Sequence, residues 1–241
     1  MDTSGSPFSN AGRHLRRILY SPASWLWVVV VMAIQIRVAA RGGPEDLGWC
    51  FENFGLSRDG LRAGKIWQIG SYGLLHGAWW HAALNGLIVL VIGSRVEHMA
   101  GRPALMRTMA AGVLAGGLCH VWFGAGLLVG LSGGCLALLL LLTTLSPQSR
   151  MFPLPVSGKS LGFGILAAAL ILALMNPDLD LPGFSAAGRA LVDQGMGSWF
   201  QIGHACHFGG GLAGWLYGRW MLRPRVTLDS LRRDRARREA E

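Results

Sequence analysis

Charge is scarce in this sequence. Asp, Glu, Lys and Arg make up only 15% of its 241 residues while 51% are hydrophobic, too little polar material to cover a water-soluble domain of this length. Acidic residues are scarcer still, 13 against 22 Lys and Arg. The resulting formal charge of +9 does not point to nucleic acid, because the basic residues gather near the two ends instead of along one folded face. Cysteine is sparse and unpaired in pattern: Cys50, Cys119, Cys135 and Cys206 form no CxxC motif. This excludes a zinc ribbon and a disulfide framework, and the four are read as mostly buried thiols. No HExxH motif or neighbouring carboxylate accompanies the histidines, so neither a metal nor any other cofactor is expected. The first apolar run lacks a small-residue cleavage site after it and is expected to be retained.

What is abundant fits a membrane. Thirty-five glycines suit closely packed membrane helices, and ten tryptophans suit the bilayer interface. Six apolar runs approach the roughly 20 residues needed to cross the hydrocarbon core: residues 24–40, 69–94, 104–123, 131–145, 161–175 and 199–222. The expected fold is therefore all-α, a polytopic bundle of six transmembrane helices over 24–222. A basic segment (1–23) precedes it and a basic tail (223–241) follows. Arg13, Arg16 and Arg17, the stretches 95–107 and 150–159, and the tail all fall on one side of such a bundle. Both termini should then be cytoplasmic, with the second, fourth and sixth helices running inward in parallel. Two long connections, 41–65 and 176–198, lie on the other side, the first reading as a folded interfacial loop.

Polar residues inside these runs are costly in hydrocarbon and need a reason. His81 and Asn85, four apart, share one helical face, whereas His76 is expected to point elsewhere and lie nearer the surface. The run Gly130-Leu131-Ser132-Gly133-Gly134 allows close backbone approach and puts Ser132 beside the free N–H groups of a helix start. Taken alone, such a run is more often a packing surface or turn. His207 is followed by glycines at Gly210, Gly214 and Gly218, a close-packing stripe. If that stripe meets Ser132, His207 reaches its hydroxyl. His204, one turn earlier, fits geometrically as well, although a loop-facing hydrogen-bond partner is its simpler reading. His98 and His120 look incidental. For one such residue alone the plainer reading is interhelical hydrogen bonding; for the His81 and Asn85 pair a functional role is the better one.

Together these residues resemble the rhomboid intramembrane serine proteases of the bacterial six-helix type, over about residues 67–218. His76, His81 and Asn85 match HxxxxHxxxN; Gly93 and Glu97 match GxxxE; Gly130, Ser132 and Gly133 match GxSG; His207, Gly210 and Gly214 match HxxGxxxG. The resemblance implies a dyad of Ser132 as nucleophile and His207 as general base, with His81, Asn85 and the Ser132 N–H stabilising the oxyanion. His76, Gly130, Gly133, Glu97, Gly210 and Gly214 would support them. It implies transmembrane protein substrates cut near the outer face of the cell membrane, a bacterial inner membrane, and a fifth helix serving as lateral gate. Three positions depart from the pattern: Gln68 stands where an arginine commonly anchors the loop, Leu136 where an aromatic packs on the histidine, and Cys206 where alanine is usual. Gln68 and Leu136 motivate an alternative, a catalytically silent relative that binds membrane clients. Buried polar groups alone motivate a transporter, against which stands the lack of an inverted repeat or carboxylate relay.

Overall fold

In hydrocarbon every backbone N–H and C=O needs a partner within the protein, and a helix supplies it inside one segment. The computed structural model follows this rule: it describes residues 12, 15–150, 155–224 and 228–240, and among them the only extended pairing is two isolated bridges. Arg13 and most of the basic N-terminal segment lie outside the described residues. The bundle consists of α1 (Pro22–Ala39), α4 (Trp79–Ala100), α5 (Arg102–Phe123), α6 (Ser132–Leu145), α7 (Gly158–Leu174) and α9 (His204–Met221). Two short helices, α2 (Gly48–Phe54) and α3 (Arg58–Arg62), fold the first long connection; α8 (Phe184–Leu191) sits in the second.

Helices α1, α4 and α5 are long and apolar enough to cross a membrane unaided, while α6 and α7 have 14 and 17 residues. At about 1.5 Å per residue α6 covers only about 21 Å, short of a hydrocarbon core of about 30 Å. It can span little more than the middle of the membrane, so at least one of its ends lies below the surface. Nine of its residues, from Gly133 to Thr143, are buried, which makes α6 the axis of the bundle.

Glycine sets how closely the neighbours approach that axis. A Cβ at Gly210 would collide with the Gly133 carbonyl, one at Gly214 with the Ala137 carbonyl, and one at Gly218 would meet Thr144. The paired numbers rise together, so α6 and α9 run parallel with their backbones in contact. Helix α5 packs antiparallel, Gly112 facing Gly133 and Ala137, and Met109 facing Gly134.

Two expected spans start later than their apolar runs. The run 69–94 opens with a helical turn (Gln68–Ser71) and a 3-10 turn (Tyr72–Leu74), then goes extended at Leu75 and Ala78 before α4 begins at Trp79. Apolarity is continuous there, but Gly73 is pressed on Val113 and Leu131, and the Tyr72 carbonyl accepts from Gly130 N–H at 3.0 Å. Tertiary pairing thus overrides the helical pattern. The run 199–222 begins in a 3-10 turn (Gly197–Gln201), and α9 proper starts at His204.

Within α4, one wide π turn covers Val89–Gly93. Gly93 there is packed within 3.4 Å of Ser24, Leu105 and Leu138 side chains, should it carry a Cβ. Below it, Glu97 accepts from the N–H groups of Ala23 (3.1 Å) and Ser24 (2.9 Å) and from the Ser24 hydroxyl (2.9 Å). A carboxylate from one helix thereby caps the positive N-terminus of another. Arg102 lies 3.5 Å from the same carboxylate. Glu97 therefore supports the bundle at the end opposite Ser132.

Candidate active site

Ser132 opens α6. The Leu131 carbonyl receives the first helical bond, from Cys135 N–H at 3.1 Å, which leaves the Ser132 and Gly133 N–H groups without helical acceptors. The parallel contact of α6 with α9 brings His207 opposite: its Nε2 lies 2.9 Å from Ser132 Oγ. With the imidazole proton on Nδ1, the hydroxyl donates to Nε2. Both residues are half-buried. Among the described residues no carboxylate hydrogen-bonds His207.

His81 lies on the other side of the same serine loop. Gly130 has φ +121°, in the left-handed region, and a Cβ on it would stand 2.6 Å from His81 Cε1 and 2.9 Å from Nε2. Glycine is required twice over, by conformation and by the ring. His81 in turn stacks edge-on against His76, centroids 5.0 Å apart.

His76 corrects the sequence expectation. Instead of sitting near the surface on the second helix, it precedes α4 in the extended stretch and is 1% exposed. That stretch folds the ring back beneath the start of α4. Its Nε2 accepts from the Asn85 amide at 2.9 Å and from Leu131 N–H at 3.3 Å. One imidazole therefore joins Asn85 to the residue before Ser132. Asn85, 2% exposed, uses one amide hydrogen on His76 and keeps the second. So Ser132, His207, His81, Asn85 and His76 form one cluster, with Gly130, Gly133 and Gly210 supplying the close approach; Gly214 holds the same seam one turn further down, and Glu97 belongs to a different end.

The departures have structural answers. Gln68, fully buried, donates through Nε2 to the carbonyls of Glu52 (2.8 Å) and Asn53 (3.3 Å), and its Oε1 accepts from Ser57 N–H (3.2 Å). The loop is anchored by a neutral amide. A second anchor escaped the sequence reading: Arg58 donates to the carbonyls of Val121 (2.7 Å), Trp122 (3.2 Å) and Gly124 (2.9 Å), capping α5. Only the loop position and charge of Arg58 hinted at it. Leu56 and Leu128 then exchange backbone bonds of 2.9 and 2.8 Å, tying the loop to the segment leading to Ser132. The ring beside His207 is His204, centroids 6.1 Å apart and nearly perpendicular. His204 Nε2 bonds the Trp199 carbonyl at 2.9 Å, the loop-facing partner expected of it. Cys206 is buried with its Sγ near the Gly116 and Gly133 positions and 3.5 Å from Tyr72 Oη. All four cysteines are free, two buried and two half-buried.

A serine hydroxyl hydrogen-bonded to an imidazole across two parallel helices, inside an all-helical membrane bundle, defines a polytopic membrane protein with a serine–histidine pair. The chain belongs to the rhomboid family: the rhomboid domain matches residues 63–224. That family consists generally of intramembrane serine proteases. No individually curated protein matches the chain.

Proposed function

We propose that this protein is an intramembrane serine endopeptidase that cuts transmembrane segments of membrane-protein substrates through a Ser132/His207 dyad. The observation that carries the reading is the 2.9 Å contact between Ser132 Oγ and His207 Nε2, at the start of a helix whose first N–H groups have no helical acceptor. In the first half-reaction Ser132 Oγ attacks the scissile carbonyl while His207 takes its proton. The oxyanion receives the Ser132 N–H, the free Asn85 amide hydrogen and the His81 ring, donors whose value rises in water-poor surroundings. His207 then gives the proton to the leaving amine. Water repeats the sequence on the acyl-enzyme and frees the second product.

His76 serves as a positioning residue, holding Asn85 and the Leu131 backbone in register. A substrate helix hides its peptide bonds in its own hydrogen bonds, so a cut site rich in small, helix-destabilising residues near the Ser132 end is expected. Substrate enters beside α7, the peripheral helix. The silent-relative reading loses one of its two motives, since Gln68 holds the loop that an arginine would hold.

Purified protein in detergent should cleave a transmembrane test substrate, and Ser132→Ala should lower the rate by at least about 10⁴-fold. Cleavage that persists in Ser132→Ala would refute the dyad. An active-site fluorophosphonate should label Ser132 in the wild type and not in His207→Ala.

A further inference from the structure

At the end of the bundle opposite Ser132, α7 leans away from α6 and α9 and leaves a groove of 650 Å³. Its walls are apolar: Leu140 from α6, Phe163 and Leu166 from α7, and Trp215 from α9, with Leu222 following α9. Thr143 and Thr144 also line it, but both hydroxyls donate to the Leu140 carbonyl, at 3.0 and 2.7 Å, and offer nothing to a polar guest. At the mouth stand Lys159 and Arg219. Both are exposed, and neither side chain forms an ion pair or hydrogen bond among the described residues.

Acidic residues are nearly absent around this mouth: across 94–107, 145–160 and 218–224 the one carboxylate is Glu97. Glu97 is already occupied by the α1 N-terminus and Arg102. The groove is thus mostly apolar, Gln148 being the one side-chain amide in its lining, with two unpaired cations at the end where a bilayer headgroup would sit. A zwitterionic headgroup brings its own cation to that place; an anionic one does not.

We propose that this groove is a binding site for one anionic phospholipid, its phosphate held between Lys159 and Arg219 and an acyl chain laid between α7 and α9 against Phe163 and Trp215. The lipid fills the space that the small contact residues of α7 leave open, so it sets how closely α7 packs on α6. This site is independent of the peptidase reading.

Trp215 is an internal reporter. Full-length protein is reconstituted in phosphatidylcholine vesicles and titrated with phosphatidylglycerol or phosphatidylcholine carrying brominated acyl chains; the Trp215→Phe variant isolates the fluorescence of this one tryptophan. The Trp215 component should be quenched by the anionic lipid at about five- to tenfold lower mole fraction than by the zwitterionic one. Lys159→Gln combined with Arg219→Gln should erase the preference, and Lys159→Arg with Arg219→Lys should keep it. Equal quenching by both lipids, or a preference that survives the double glutamine variant, would overturn the proposal. So would relief of quenching by millimolar inorganic phosphate at constant ionic strength, which would assign the cations to a free anion. Because no readout involves Ser132, the outcome is separate from that of the cleavage assay.

Discussion

Helices α9 and α7 both pack on α6, and they do so in opposite ways. On α9 the buried residues are five glycines with Ala205 and Cys206, and Gly209, Gly210 and Gly214 meet the carbonyls of α5 and α6 directly. On α7 only Gly158, Gly162, Ala169 and Ala173 are buried, Gly162 meets the end of the Thr143 side chain, and Gly164 faces open space. Backbone against backbone has no soft atoms to yield, whereas side-chain contacts can readjust. The helix that carries the imidazole is fixed to within the tolerance of a hydrogen bond. The helix beside which substrate is proposed to enter is held loosely.

This contrast breaks first at the seam. Gly214→Leu should destabilise the protein by at least about 3 kcal/mol in a detergent unfolding titration and abolish cleavage, because its Cβ would collide with the Ala137 carbonyl. An α9 that tolerated leucine there would show the seam to be as soft as that of α7. Next in size is the link between α4 and the serine loop. His76→Ala should leave the fold intact and lower kcat by about 10- to 100-fold with little change in KM, since it frees Asn85 and Leu131 rather than a substrate contact. A pure KM effect would argue against the positioning role.

Smaller effects test the periphery. Gln68→Ala removes three loop contacts and should cost about 1–2 kcal/mol, seen as faster proteolysis of the 41–65 loop in reconstituted protein. Smallest of all, Gly164→Ala on α7 meets no atom within 4 Å. Thermal unfolding should show a change of no more than about 1 kcal/mol, in the stabilising direction, as helix propensity alone dictates.

Composition and periodicity were enough to read the six-helix plan, because a bilayer forbids exposed backbone and leaves few alternatives. The glycines spaced one turn apart along α9 made a Ser132–His207 pairing possible, and it was the rhomboid resemblance that singled it out. What the pattern hid were places where tertiary contacts outweigh it. The apolar run 69–94 gave no sign that the helix would break over residues 75–78, and so His76 looked peripheral when it lies at the centre. Gln68 looked like a missing anchor because its bonds go to backbone carbonyls, which leave no trace in side-chain types. The same holds for Arg58. His204 was read as reaching toward a loop, but its ring contact with His207 needed the helix start at 204 to be fixed first.

The π turn in α4 has a consequence for how the family motif is phased. Asn85 and Glu97 are twelve positions apart; at about 100° per residue a regular helix would turn them roughly 120° out of alignment. One wide turn absorbs about one residue of that advance, leaving them roughly 20° apart. Both are accordingly buried, at 2% and 6% exposure. The bulge acts as a gear tooth, letting one rod present its amide to the serine loop at one end and its carboxylate to α1 at the other. Deleting a single residue from Val89–Gly93 would straighten the rod and keep both grips, because eleven regular steps leave the same offset of roughly 20°; forcing the full-length rod into regular helix would release one of them.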